Sequence, residues 1–342
     1  MTQQTPLSAD GLFELSDTDF IPRALQTFRL QYADNPLYRR YADALGIQLD
    51  RVRTLQEIPF LPVSLFKTHS VRTGDFIPEI VFESSGTTGS VTSRHEVRHL
   101  SVYRSSFDAG FRRFYGPVEE WCIIGLLPAY LERSNSSLVL MVHELIDHSG
   151  HPDSGFYLYD HDALHAVLQR LERQGQKILL IGVTFALLDF AEKYAMSLRH
   201  TVVMETGGMK GRRREITRNE LHDYLKERLG VPSIHAEYGM TELLSQAYSP
   251  GDGLFTCPPW MRALVRREDD PLEVMAQGEG LLNIIDLANT WSCSFLATED
   301  IGRIGPDGRF EVSGRADNSD IRGCSLLVAE SPMPGEVRNV YK

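Results

Sequence analysis

At 342 residues the chain fits one large domain or two smaller ones, and its 42% hydrophobic content suffices for a sizeable core. Its 46 acidic residues outnumber its 35 basic ones, and the net charge of −11 excludes a general nucleic-acid binder. No apolar run approaches the ~18 residues of a membrane span, and four scattered cysteines without a CxxC pair fit free thiols in a reducing cytoplasm.

In chain order, the first distinctive stretch is Phe82-Glu83-Ser84-Ser85-Gly86-Thr87-Thr88-Gly89-Ser90. Two glycines bracket two threonines between serines, so backbone N–H groups and hydroxyls can face one anion. It is not a Walker A loop, because no Gly-Lys-Ser/Thr follows and the nearest basic side chain is Arg94. Taken alone, such a cluster is more often a plain surface loop. Trp121 to Leu127, Lys177 to Val183 and Thr201 to Glu205 read as buried strands, being short and rich in Ile, Leu and Val. His143-Glu144-Leu145-Ile146-Asp147-His148 nearly spells a zinc helix, but Asp147 stands where the second histidine belongs, so no metal is expected there.

Ala163 to Arg173 places Leu164, Val167, Leu168 and Leu171 on one helical face, and Phe185 to Tyr194 repeats the pattern. Ile181 to Phe190 reads either as the lining of an apolar tunnel or as core. Arg212-Arg213-Arg214 reads as a solvated helix start. Thr217-Arg218-Asn219-Glu220 is a capping box, and Gly230 with Pro232 ends the helix it opens. Strands alternating with helices predict an α/β architecture with a largely parallel sheet. After Ser249 glycine and proline punctuate short runs, and Asp307-Gly308 signals a hairpin turn, so this part reads as β-rich.

Two downstream segments change the weight of the Ser/Thr loop. One is His235-Ala236-Glu237-Tyr238-Gly239-Met240-Thr241-Glu242. The other runs from Ala297-Thr298-Glu299-Asp300 to Gly314-Arg315-Ala316-Asp317 and ends in Ile321-Arg322-Gly323-Cys324. In this order they resemble the phosphate loop, the Tyr-Gly-x-Thr-Glu segment, the ribose-binding Asp and the Gly-Arg-x-Asp hinge of adenylate-forming enzymes. Within that superfamily the chain looks like the acyl-protein synthetase of bacterial luminescence systems. The carrying residues are Pro59-Phe60-Leu61-Pro62-Val63-Ser64-Leu65-Phe66-Lys67, Leu127-Pro128-Ala129-Tyr130-Leu131-Glu132-Arg133 and Glu205-Thr206-Gly207-Gly208-Met209-Lys210-Gly211. The resemblance spans roughly residue 20 to the C-terminus, and phenylacetate–CoA ligases look like a more distant relative.

The resemblance implies an adenylate-forming catalytic domain over residues 1–313, with a β-rich subdomain at about 250–313. A hinge remnant and tail over 314–342 would stand in place of the superfamily's mobile C-terminal domain. It implies ATP and Mg²⁺, a carboxylic acid substrate of fatty type, and an acyl-accepting or reductase partner protein. Ser84, Ser85, Gly86, Thr87, Thr88 and Gly89 would hold the β- and γ-phosphates, and Thr241 would donate to the α-phosphate. Glu242 would hold Mg²⁺, a hard cation that prefers oxygen. Asp300 would accept from the ribose hydroxyls, Arg315 would sit near ribose or phosphate, and Gly207 and Gly208 would let adenine approach the backbone. Tyr238 and Gly239 belong to the same nucleotide site, and Cys324 would carry the acyl group as a thioester.

Each residue also has a plainer reading. Asp300 before Gly302 suits a turn, Tyr238-Gly239 a strand end, and Glu242 the start of a solvated helix. His95 and Lys210 occur in luminescence-type segments without an assignable role. Thr298-Glu299-Asp300 departs from the superfamily's Thr-Gly-Asp. Lys342 lies only 18 residues past Cys324, so the superfamily's C-terminal lysine has no counterpart. A lost phosphate donor of that kind typically costs ~10²–10³ in rate. Two rival readings stand beside the acyl-protein synthetase. A carboxylate–CoA ligase normally needs the C-terminal domain, and a weakly catalytic subunit would stabilise a partner complex.

Overall fold

The computed structural model describes residues 11–84, 91–127, 135–157, 159–207, 217–270 and 272–316. Ser85, Gly86, Thr87, Thr88, Gly89, Gly208, Lys210 and Cys324 therefore lie outside the described residues. Two helices, α1 (Asp17–Asp34) and α2 (Pro36–Ala44), open the chain. Asn35 separates them and caps α2 by accepting from the Tyr38 N–H, with proline at the first helical position. A short strand β1 (Leu61–Pro62), the hairpin β2 (Ile80–Glu83) and β3 (Arg94–Val97), and helix α3 (Leu100–Tyr115) follow.

The chain then alternates as expected. Strand β4 (Trp121–Leu126), helix α4 (Ser137–Ser149), β5 (Gly155–Phe156), α5 (His161–Gln174), β6 (Lys177–Gly182) and α6 (Thr184–Lys193) lead to β7 (Thr201–Glu205), α7 (Arg218–Leu229), β8 (Ile234–Tyr238) and β9 (Ala247–Ser249). These strands form one sheet in the order β5-β4-β6-β7-β8-β9, parallel except for the last pair. Its central strands are buried on both faces, which is why β4 and β6 read as unbroken apolar runs. Helix α5 buries Leu164, Leu168 and Leu171 at helical spacing. The capping box at Thr217 is formed, and Gly230 stops α7 at a φ of 65°, where a side chain would be strained.

The remaining strands are β10 (Leu254–Phe255), β11 (Met261–Arg266), β12 (Val274–Met275), β13 (Gly278–Asp286), β14 (Phe295–Ile304) and β15 (Phe310–Arg315). They make an antiparallel sheet in the order β10-β15-β14-β13-β11-β12, with β1 pairing parallel to the start of β14. The Asp307-Gly308 turn joins β14 to β15, with Gly308 at a φ of 77°. This confirms a β-rich texture after Ser249. Among the described residues no helix is long and apolar enough to cross a membrane. Ile181, Val183, Leu187 and Phe190 are packed in the core, so the tunnel reading of that segment is replaced by the core one.

Candidate active site

In an open parallel sheet, ligands collect beyond the carboxyl ends of the strands, where the following loops converge. Strand β8 ends at Tyr238, and its ring wedges between the two sheets against Phe255 and Phe310. Its hydroxyl donates to Asp300 Oδ2 at 2.8 Å. Asp300 is buried inside β14, opposite Arg315 of β15, whose Nε donates to Oδ1 at 3.1 Å. The turn reading of Asp300 is thereby corrected, because the residue sits mid-strand and joins two sheets. Burial, and then the neighbouring carboxylate, push the Tyr238 hydroxyl well above its ordinary value, so it stays a donor. Burial opposes charge on Arg315, but the Asp300 carboxylate outweighs it and raises the guanidinium pKa. Each Asp300 oxygen thus takes one side-chain donor. A carboxylate has about four acceptor sites, so capacity remains for a ligand's hydroxyls.

Thr241 and Glu242 follow β8 in a tight turn that three buried polar residues hold by its main chain. Asn289 Nδ2 donates to the Glu242 carbonyl at 2.7 Å and to the Cys293 carbonyl at 3.0 Å. Asp286 accepts from the Leu244 N–H at 2.7 Å and the Ser245 hydroxyl at 2.6 Å. His95, from β3, places Nδ1 2.8 Å from the Thr241 carbonyl and Nε2 3.0 Å from Asn289 Oδ1. Burial pushes the ring's pKa down to about 4, so at neutral pH it has one N–H to give to these two acceptors. Glu242 is buried rather than at the head of a solvated helix. Its pKa is raised by burial, which outweighs the hydrogen bond from Ser93.

Ser93 also closes the hairpin. Its N–H donates to Ser84 Oγ at 2.9 Å, and the Ser84 N–H donates to its carbonyl at 3.1 Å. The two stems of the Ser/Thr/Gly loop therefore leave the hairpin beside Glu242. From the β7 side, Gly207 has a φ of 75°, and its N–H donates to Glu205 Oε2 at 2.8 Å. Burial would raise the Glu205 pKa, but His222, Arg218 and the Gly207 N–H together lower it. His222 Nε2 and Arg218 Nε stand 3.7 Å and 3.5 Å from its Oε1, ion-pair separations rather than hydrogen bonds.

A cavity of about 150 Å³ opens against this turn, bounded by Tyr103, Met141, Thr206, Glu237, Thr241 and Gln246. Of the residues expected from the motifs, the described ones that converge are Ser84, Gly207, Tyr238, Gly239, Thr241, Glu242, Asp300 and Arg315. Sequence reasoning passed over Ser93, Glu205, Glu237, Asp286 and Asn289, and left His95 without a role. Their signal is buried polarity, which a sequence without contacts does not display. Cys122 and Cys293 are buried and Cys257 is partly so; burial raises their thiol pKa values to about 11, 12 and 12.

Two solved structures share the fold. A 2-hydroxyisobutyryl-CoA ligase in complex with 2-HIB-AMP and CoA superposes with a TM-score of 0.61 at 15% identity, over 88% of this chain and 75% of that one. Apo MatB from Rhodopseudomonas palustris gives a TM-score of 0.52 at 14% identity over 70% of this chain, which spans about half of MatB, 48%. The architecture is thus that of adenylate-forming ligases. In sequence, the long-chain-fatty-acid–luciferin-component ligase of Aliivibrio fischeri is 25% identical, over 89% of this chain and 86% of its own. The pattern of the family described as acyl-protein synthetase, LuxE, matches residues 13–332. That match covers nearly the whole sequence, and the chain belongs to the LuxE acyl-protein synthetase family.

Proposed function

We propose that this chain joins a carboxylic acid to the α-phosphate of ATP and passes the acyl group to a cysteine thiol. In the first step a carboxylate oxygen attacks the α-phosphorus, the α–β anhydride bond breaks, and pyrophosphate leaves with its electrons. In the second a thiolate attacks the acyl carbon of the adenylate, and AMP leaves as the thioester forms. The observation that carries the reading is the Tyr238–Asp300–Arg315 constellation beside the pinned Thr241–Glu242 turn, at the mouth of a cavity.

A carboxylate is a poor nucleophile toward an anionic phosphate, so positioning and charge neutralisation carry the rate. Asp300 has the free acceptor capacity to take the ribose hydroxyls, with Arg315 at its side. Thr241 and the Ser84 to Gly89 loop supply donors for the phosphates. Glu242 fits Mg²⁺, since a buried carboxylate with capacity left beside Ser93 can serve a cation that otherwise takes phosphate oxygens and water. No group of three His, Cys, Asp or Glu side chains stands ready for a metal among the described residues, which suits an ion that arrives with the phosphates. Mg²⁺ bound there would offset the phosphate charge.

We assign the catalytic unit to residues 1–313 and the acyl acceptor to Cys324 in the segment 314–342. The other three thiols, with pKa values raised to about 11–12, are thiolate at no more than about one part in 10⁴ at neutral pH. The fatty character of the acid, and a partner protein that accepts the acyl group from this chain, are carried over from the luminescence enzyme. The reading is tested by acid-dependent exchange of labelled pyrophosphate into ATP with Mg²⁺ present, across aliphatic, substituted and aromatic acids. Exchange that needs both acid and chain is expected. No exchange with any acid would leave the weakly catalytic rival.

A further inference from the structure

Glu237 has no part in the nucleotide chemistry derived above, yet it sits in the wall of the cavity that Thr241 bounds. Strand β8 buries Ile234, Ala236 and Tyr238, so the intervening Glu237 projects from the opposite face, into the cavity. Among the described residues no hydrogen-bond donor and no cation pairs with its carboxyl. Its charged neighbour is another carboxylate, Glu205, which is itself stabilised by Gly207, His222 and Arg218. Desolvation, with that like charge behind it, raises the Glu237 pKa to about 8, while that of Glu205 is lowered. An unpaired polar group in such a place costs about 1–3 kcal/mol unless a partner arrives.

The position of this carboxyl limits what the partner can be. A Cβ on Gly239 would lie 2.4 Å from Glu237 Oε1, so the carboxyl folds back along its own strand end. Gly239 is two residues from Thr241, and an extended chain covers at most ~3.6 Å per residue, so Oε1 lies within roughly 10 Å of the Thr241 backbone. A cavity of about 150 Å³ holds a benzene-sized group rather than a long alkyl chain. Its wall is mixed: Leu138, Met141 and Met240 offer room for a few methylenes, while Glu237 and Gln246 are polar.

We propose that Glu237 selects the acid, and that the preferred substrate is a short carboxylic acid bearing a hydroxyl or amino group a few carbons from the carboxylate. The inference rests on the adenylation reading, because it takes the cavity beside Thr241 as the place of the acid. The donor on the substrate supplies what the protein withholds from Glu237. An unsubstituted acid would bury that carboxyl without a partner, and a site built to pair a substrate donor discriminates strongly against an analogue that lacks it.

The test is pyrophosphate exchange by the full chain with butyrate, γ-hydroxybutyrate, γ-aminobutyrate and myristate. The donor-bearing acids are expected to exceed butyrate by about 10–10²-fold in kcat/KM, with myristate below them. Glu237→Leu should erase that preference and raise butyrate. Glu237→Gln should keep the hydroxy acid and lose the amino acid. The ranking by the unaltered chain decides the question even where a variant folds poorly. Butyrate or myristate equal to or above both donor-bearing acids would overturn the selection while leaving adenylation standing. Absence of exchange with every acid, in this panel and in the wider one above, would overturn both.

Discussion

Asp300→Ala is expected to lower kcat/KM for ATP by ~10²–10⁴, mostly through KM. Two hydrogen bonds from ribose hydroxyls to a buried carboxylate are each worth about 1.5–3 kcal/mol, and ground state and transition state share them. The same substitution removes the acceptor for the Tyr238 hydroxyl and the partner of Arg315. A buried hydroxyl left alone costs about 1–3 kcal/mol, so the melting temperature should fall as well. Asp300→Asn separates the two effects, because its amide oxygen can still accept from Tyr238 while the charge is gone. Steady-state kinetics with varied ATP, alongside thermal unfolding, checks this. A folded Asp300→Ala protein with an ATP KM within about threefold of the parent would remove Asp300 from the nucleotide site.

Cys324→Ser should abolish the acyl-protein thioester while leaving the formation of acyl-AMP largely intact. The thiolate is the nucleophile in thioester formation, and a thiol with an ordinary pKa of ~8.5 is a few per cent thiolate at neutral pH. The three thiols within the described residues have pKa values raised to about 11–12, so they are poor substitutes. Labelled acid and ATP, followed by peptide mapping of hydroxylamine-sensitive label, reads the outcome directly. Label that persists in the variant, or that maps to Cys122, Cys257 or Cys293, would show the acceptor assignment to be wrong.

The fold was legible wherever short-range physics decides it. The apolar runs at Trp121, Lys177 and Thr201 became β4, β6 and β7 because a strand buried on both faces has no polar face to show. The box at Thr217 and the glycine at 230 bounded α7 to the residue, because caps are local chemistry. The site was legible through motif order and not through any single position. Asp300 by itself suggested a turn, and its place in β14 follows from pairing with Arg315 fifteen residues later. His95 and Asn289 were not legible as supports. Their contacts, His95 to Thr241 and to Asn289, span 146 and 194 residues, and nothing in the local sequence announces them. Glu237 was quoted within its motif but not weighed, since a carboxylate one residue before a tyrosine shows neither its burial nor its want of a partner.

The account's central claim is that this chain cleaves ATP between the α- and β-phosphates and does so on behalf of a carboxylic acid. The direct measurement follows ATP labelled at the α- and γ-positions, with the full chain, Mg²⁺ and an acid from the panel that supports exchange. The account predicts labelled acyl-AMP and then AMP from the α-phosphate, with pyrophosphate in equal amount and an absolute requirement for the acid. Release of ADP and inorganic phosphate, or AMP formation at the same rate without acid, would contradict it.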